Sequence, residues 1–408
     1  MNICGIICEY NPFHNGHRHL IDESRAALGA DSAVVCAMSG DFVQRGEAAA
    51  FLKHDRARAA VAGGADLVLE LPLPWCMARA ETFASGAVAL LSATGVVTHL
   101  CFGSESGDLA LLRKTALALL RPETDEQIRA GLEQGIGYAA ARQRALEALT
   151  GETAAALTQP NDILAVEYLK AIETQQSALT PFAVHRAGAG HDTEDEAALP
   201  SAALLRKKLR AGEDIEAYVP QTVSAALRSG AGLPDSDAIE TAILSRLRCL
   251  PETAFAHAPD VSEGLEKRVF AAARTEPTLD AIVSAAATKR YPRARVRRIA
   301  LSAALGLRAS DSAGAPPYIR CLAANARGLK LLREMEDRAA LPVLTKSAHV
   351  RRLDERAQRV FSLGAAAEDL CTLGLRDPEA RRGDRDWRCG PALAEGKAHD
   401  CNRDAIVL

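Results

Sequence analysis

Gly5-Ile6-Ile7-Cys8-Glu9-Tyr10-Asn11-Pro12-Phe13-His14-Asn15-Gly16-His17 carries an apolar run into an Asn-Pro turn and then into helix-opening residues. The apolar run reads as a buried strand and Asn11-Pro12 as the turn that ends it. A helix starts at about Asn15, so His14 and His17 stand at a helix N-terminus. There, unpaired backbone N–H groups and the positive end of the helix dipole attract phosphate. Gly16 permits close backbone approach, and the imidazoles can donate hydrogen bonds to phosphate oxygens as charge builds during attack at phosphorus. Paired histidines also occur as plain helix caps. Their position at the end of a first strand, where α/β sheets bind ligands, favours the nucleotide reading.

Outward from this loop, residues 2–8, 33–38, 66–71, 96–102 and 181–185 read as strands, and 17–28, 53–62, 81–91 and 161–171 as helices. Strand, crossover helix, strand is the parallel α/β pattern and predicts a Rossmann-like parallel sheet. Residues 108–150 read as a helical insertion. After Ser201 the strand signals fade, and 222–229, 238–249, 264–273, 279–287 and 293–305 have helical apolar spacing. The expected organisation is a catalytic α/β domain over 1–210 and a mainly α-helical domain over 211–375. A small mixed α/β part is expected near 318–346, and a poorly ordered, Arg/Asp/Gly-rich tail over 376–408.

The chain has 408 residues, 48% hydrophobic and 25% charged, with a formal net charge of -3. This is the composition of a folded globular protein, and it offers no global field for a nucleic acid, so an RNA partner requires a local basic cluster. No run of 18 apolar residues occurs and the N-terminus lacks a secretory pattern, so a cytoplasmic protein without a membrane segment is expected. Ten cysteines are scattered without a C-x-x-C pair. They read as buried free thiols, and Cys389, His399 and Cys401 fit no metal spacing, so no protein-held metal is expected.

His14-Asn15-Gly16-His17 resembles the His-x-Gly-His signature of the nucleotidylyltransferases and class I aminoacyl-tRNA synthetases. Four later segments narrow this: 38–47 (Met-Ser-Gly-Asp-Phe-Val-Gln-Arg-Gly-Glu), 64–72, 102–105 (Phe-Gly-Ser-Glu) and 159–164 (Gln-Pro-Asn-Asp-Ile-Leu). In order and separation they resemble the bacterial tRNA(Met) cytidine acetate ligases over about the first 210 residues, and more weakly to about residue 375. The resemblance implies a nucleotidyltransferase fold with ATP as substrate, Mg2+ accompanying it, and acetate and elongator tRNA(Met) as partners. It implies His14 and His17 as catalytic groups. It places ATP along Ile7 to Leu20, Arg18 and His19 included, and on Gly103, Asn161, Arg186 and Arg206. Read physically, Gly103 suits close approach of a base or ribose, and Asn161 behind Pro160 suits a helix N-cap. Arg186 lies in a glycine-rich loop with Gly188 and Gly190. Arg45 is either a phosphate or carboxylate ligand or a solvated turn residue, and Glu70 a turn carboxylate. Ser201 and Arg206 fit the turn that closes over a triphosphate, although Ala203 stands where a hydroxyl residue is usual.

Residues 287–300 contain Lys289, Arg290, Arg293, Arg295, Arg297 and Arg298 and no acidic residue. They predict an RNA-binding face, with Tyr291 as a base-stacking surface. The alternative is a helix whose cations find partners on neighbouring elements. Two rival functions share the first loop: a small-molecule adenylyltransferase of the pantetheine-phosphate or nicotinamide-nucleotide kind, and a non-catalytic tRNA-binding protein.

Overall fold

Strands β1 (Ile3–Cys8) and β2 (Ala33–Ser39) lack the apolar/polar alternation of a half-solvated sheet. β5 (Leu67–Leu71) interrupts its apolar run only at Glu70. Such strands are buried on both faces, as parallel sheets are. In this computed structural model, which describes residues 2–150, 156–186, 201–262 and 264–393, successive side chains feed two cores. Ile3, Val35 and Leu69 point to one, and Cys4, Ile6, Cys36 and Val68 to the other.

The sheet contains β1, β2 and β5, then β6 (His99–Ser104), β7 (Thr180–His185), β8 (Ile319–Ala324), β9 (Val343–Leu344) and β10 (Ala392–Leu393). Its order is β10-β8-β5-β2-β1-β6-β7, with β9 also paired to β8. A separate hairpin joins β3 (Phe42–Val43) to β4 (Glu47–Ala48). Among the described residues, every pair in the main sheet is parallel except β5 with β8. From β1 the chain builds first toward β2 and β5, and later returns to the other side with β6 and β7. The ends of β1 and β6 therefore open a crevice at a topological switch point.

Residues 201–375 supply the expected helices, among them Gln221–Arg228, Ser236–Cys249, Leu265–Thr275, Leu279–Ala286 and Arg293–Leu305. Two organisational expectations are corrected. The strands near 318–346 form no separate small unit, because β8 lies antiparallel to β5 and extends the main sheet. Residues 376–393 are no loose tail, because β10 adds parallel to β8 and Asp386, on the turn of helix Arg385–Arg388, is fully buried. The remainder of the expected tail, with His399 and Cys401, lies outside the described residues.

A buried carboxylate requires partners, and Asp386 has several. It accepts from Lys53 Nζ at 2.6 Å and Arg320 Nη2 at 2.6 Å, and lies 3.0 Å from His54 Nε2. Lys53 also donates to Glu70 at 2.9 Å, and Arg320 donates to the other Glu70 oxygen at 2.8 Å. Glu70 is thus a buried ionic partner rather than the expected turn carboxylate. Burial opposes the Lys53 ammonium, but Asp386 and Glu70 more than offset it and raise its pKa. His54, Glu368 and Asp386 lie close enough to share a metal ion. The Lys53 ammonium, 2.6 Å from Asp386 and 3.6 Å from Glu368, already supplies a cation there.

Candidate active site

The β1 loop leaves the sheet through Tyr10, which is buried and held at φ +45°, and a cis Asn11–Pro12 bond. A left-handed φ at a bulky residue costs energy and persists only where the surroundings over-determine it. Here they do. The Tyr10 hydroxyl meets Cys36 Sγ at 3.4 Å, and Asn11 Oδ1 accepts the Ala50 N–H at 2.8 Å. Fully buried Arg56 ties together the carbonyls of Glu9, Ser39, Gly40 and Phe51. One guanidinium therefore holds the chain segments that follow β1 and β2.

Helix Asn15–Leu28 then starts with His14 as its N-cap. The Gly16 N–H donates to His14 Nδ1 at 3.0 Å, and the His14 N–H to His17 Nδ1 at 3.2 Å. With both Nδ1 atoms accepting, each neutral ring carries its proton on Nε2. The ring centroids are 3.9 Å apart. Burial, then His14 and Arg186, lowers the His17 pKa well below its usual value, so His17 is a neutral Nε2–H donor at neutral pH.

These rings line a cavity of about 390 Å³ between the ends of β1 and β6, in the usual range of roughly 300–1,000 Å³ for small-molecule sites. From the opening loop, Ile7, Cys8, Glu9, Tyr10, Asn11, His14, Gly16, His17, His19 and Leu20 reach its wall. Pro12, Phe13, Asn15 and Arg18 are not among the lining residues: Phe13 packs in the core beneath Gly63, and Arg18 pairs with Asp22 on the helix surface at 2.7 Å. Phe83, Phe102, Ile163, Leu164 and Tyr168 supply apolar wall, while Arg45, Arg186 and Arg206 supply positive charge.

Each later candidate has a definable place. Gly103 and Arg186 meet at the cavity: a Cβ on Gly103 would stand 3.1 Å from Arg186 Cγ, so the missing side chain makes room for that arginine. Burial lowers the Arg186 pKa against the opposing charge of Glu105. Asn161 is not the N-cap expected of it. That position is Gln159, and Asn161 Nδ2 donates to Glu105 Oε1 at 2.5 Å. Arg206 donates through Nη1 to the Asn11 carbonyl at 3.0 Å, which fixes one edge of its fork and leaves the rest for an anion. Ser201 caps helix Ala202–Arg210 by accepting the Leu204 N–H at 3.2 Å. Gly188 and Gly190 lie outside the described residues. Sequence reasoning missed Glu105, although it ended a segment singled out on other grounds, and Arg56, hidden in the charged run Lys53-His54-Asp55-Arg56.

The expected RNA face is largely consumed by the protein. Arg295 donates to the Asp260 carbonyl at 2.8 Å and Arg298 to the Asp260 carboxylate at 3.2 Å. Arg293 pairs with Asp280 at 2.5 Å, and Arg297 with Glu47 at 3.1 Å. Tyr291 is buried rather than offered to a base. Lys289 and Arg290, in the loop before the helix, are exposed. Lysines and arginines close in sequence do not make a patch when carboxylates from other elements reach them.

A parallel sheet whose first strand ends in paired Nε2–H histidines at a helix start, facing a pocket with the half-buried Arg186 and Arg206, defines a nucleotidyltransferase of the His-x-Gly-His class. The HIGH Nucleotidyl Transferase family model matches residues 1–386. The tRNA(Met) cytidine acetate ligase of Acetivibrio thermocellus is 34% identical over 95% of this chain and 98% of its own length. That of Syntrophotalea carbinolica is 38% identical over 86% of each. Thermotoga maritima TmcAL superposes with a TM-score of 0.90 in its apo form, at 30% identity over 96% of this chain and 99% of that one. Its complex with alpha-thio ATP gives 0.89. The chain belongs to the tRNA(Met) cytidine acetate ligase family.

Proposed function

We propose that this chain is an ATP-dependent ligase that activates acetate as acetyl-adenylate and acetylates N4 of the wobble cytidine of elongator tRNA(Met). The observation that carries this reading is the pair of Nε2–H imidazoles at a helix start, converging with Arg186 and Arg206 on one cavity in a chain collinear with its relatives. An acetate oxygen attacks the α-phosphorus, forming a C–O–P linkage while the bond to pyrophosphate breaks. Carboxylate is already ionised at neutral pH, so this step needs no base. His14 and His17 donate to the phosphate oxygens as their charge increases, which is transition-state stabilisation by pre-aimed dipoles. The cytidine N4 amine then attacks the acetyl carbon, and AMP leaves.

Mg2+ accompanies ATP and neutralises phosphate charge. The carboxylates on the cavity wall fit that arrangement, since Glu9 Oε1 already accepts the Gln44 N–H at 2.9 Å and Glu47 accepts from Arg297 at 3.1 Å, leaving the ion to phosphate oxygens. No described helix is long and apolar enough to cross a membrane, and the proposed tRNA substrate supports a cytoplasmic location.

The test is incubation with ATP, labelled acetate and tRNA. Acetylated cytidine in tRNA is the expected result. Adenylyl transfer to a small metabolite with no RNA label would establish the small-molecule adenylyltransferase instead, and tRNA binding without ATP turnover the non-catalytic binder.

A further inference from the structure

Arg297 belongs by sequence to the basic helix, and its guanidinium bridges two carboxylates: Nη2 donates at 3.3 Å to the exposed Asp280, with which Arg293 also pairs, and the other edge reaches the wall of the nucleotide cavity. Nη1 donates to Glu47 Oε1 at 3.1 Å, and the second oxygen of that carboxylate lies 3.8 Å from Arg206 Nη2. Glu47 opens β4 and lines the cavity. The hairpin that carries it is pressed onto the basic helix: Gly46 sits at φ +77°, where a Cβ would come within 3.1 Å of both the backbone N and Cγ of Arg298. That close approach and left-handed φ hold Glu47 at the boundary between sheet and helix.

A carboxylate on the wall of a triphosphate site is unfavourable unless it is neutralised. Arg206, the cation nearest to it in the cavity, cannot serve Glu47 and a phosphate equally, whereas Arg297 approaches the same carboxylate from the basic helix. The side chains of Arg297 and Glu47 are 20% and 30% exposed, so solvent screens the pair only in part.

We propose that Arg297 is a positioning residue for ATP: it holds and neutralises Glu47, which leaves Arg206 aimed at the phosphates. The basic helix is thereby part of the nucleotide site before any RNA arrives. This rests on the ATP reading above and deepens it.

The experiment is equilibrium dialysis of the full chain with ATP and Mg2+, without acetate or tRNA. Arg297→Met is expected to weaken ATP binding about tenfold, the scale set by one uncompensated, partly screened charge near an anion. Adding Glu47→Gln removes the stranded charge and is expected to return the Kd to within about threefold of the parent, by the same argument. Arg297→Lys, which keeps the charge, is expected to lose less affinity than Arg297→Met. The proposal is overturned if Arg297→Met binds ATP like the parent, or if Glu47→Gln fails to restore binding, since damage to packing alone is not reversed by a second substitution. A parent that binds no ATP overturns the ATP reading itself, and this proposal with it.

Discussion

Gly16→Ala isolates the geometry of the paired histidines from the stability of the fold. A Cβ at position 16 would stand 2.8 Å from Cε1 and 3.0 Å from Nδ1 of His14, against ordinary contact at 3.4 Å and beyond. The His14 ring must therefore retreat by about half an ångström, where a misplacement of about 1 Å at reacting groups costs roughly a hundredfold. The expected loss in kcat/KM is about tenfold or somewhat more, equivalent to at least about 1.4 kcal/mol of transition-state stabilisation. Stability moves little, because two effects oppose each other. Weakening the N-cap costs about 0.5–2 kcal/mol, and alanine for glycine inside a helix returns about 1 kcal/mol. The assay is acetate-dependent ATP–pyrophosphate exchange without tRNA, run beside urea unfolding of the same preparation. Exchange within twofold of the parent would refute the argument that the ring positions carry the chemistry. A stability loss large enough to account for the missing activity would refute it too.

His17→Ala should abolish the same exchange while leaving tRNA affinity nearly intact, and retained exchange would remove this histidine from the mechanism. For RNA, Lys289→Ala with Arg290→Ala should weaken tRNA binding and lower the slope of log affinity against log salt by roughly 1–2. Arg295→Ala with Arg298→Ala should instead lower the unfolding midpoint, because those side chains are tied to Asp260; a reversed pattern would restore the helix face as the RNA surface. Asp386→Asn strips one carboxylate from a buried network and should cost about 3–5 kcal/mol in urea unfolding; a cost below about 1 kcal/mol would show that residues 376–393 contribute little. Burial, and next the charge of Asp386, raises the Glu368 pKa well above its usual 4.5. The folded chain thus binds a proton there that the unfolded chain has lost, and this contribution to stability declines as pH rises above about 4.5. Glu368→Gln mimics the protonated form and should flatten that decline, whereas an unchanged pH profile of stability would place the proton elsewhere.

What was legible in the sequence is what local chemistry encodes. Residues 2–17 combine an unbroken apolar strand, an Asn-Pro turn and two histidines, and each piece restricts its own backbone, so strand, turn and helix start could be read without their surroundings. The same holds for β2, β5, β6 and β7. The identity of β8 was different. Its apolar run, broken by Arg320, still reads as a strand, but its place beside β5 is set by side chains far apart in sequence. Arg320 of β8 and Glu70 of β5 meet at 2.8 Å, and Asp386 closes the group from a segment whose composition reads as disordered. Charge by itself marks a residue as solvated, and only the tertiary meeting of Lys53, Glu70, Arg320 and Asp386 makes burial tolerable for any of them.

The basic helix failed as a simple patch for the same physical reason. Asp260, Asp280 and Glu47 come from three separate segments, and each neutralises an arginine that the local sequence leaves uncompensated. The two cases have a common consequence for function. In the first, long-range ion pairs fasten the C-terminal segment to the strand pair β5–β8. In the second, they fasten the helix Arg293–Leu305 to the hairpin that lines the nucleotide cavity. Charged residues around the cavity and the basic helix therefore divide into those left available to an anion and those that bind the chain to itself. The division follows from whether a carboxylate lies within reach, not from how many arginines stand together. Arg206 lies on the boundary, with Nη1 satisfied by the Asn11 carbonyl at 3.0 Å and Nη2 only loosely paired at 3.8 Å. That unequal use of one guanidinium is the geometry on which the proposed phosphate contact of Arg206 depends.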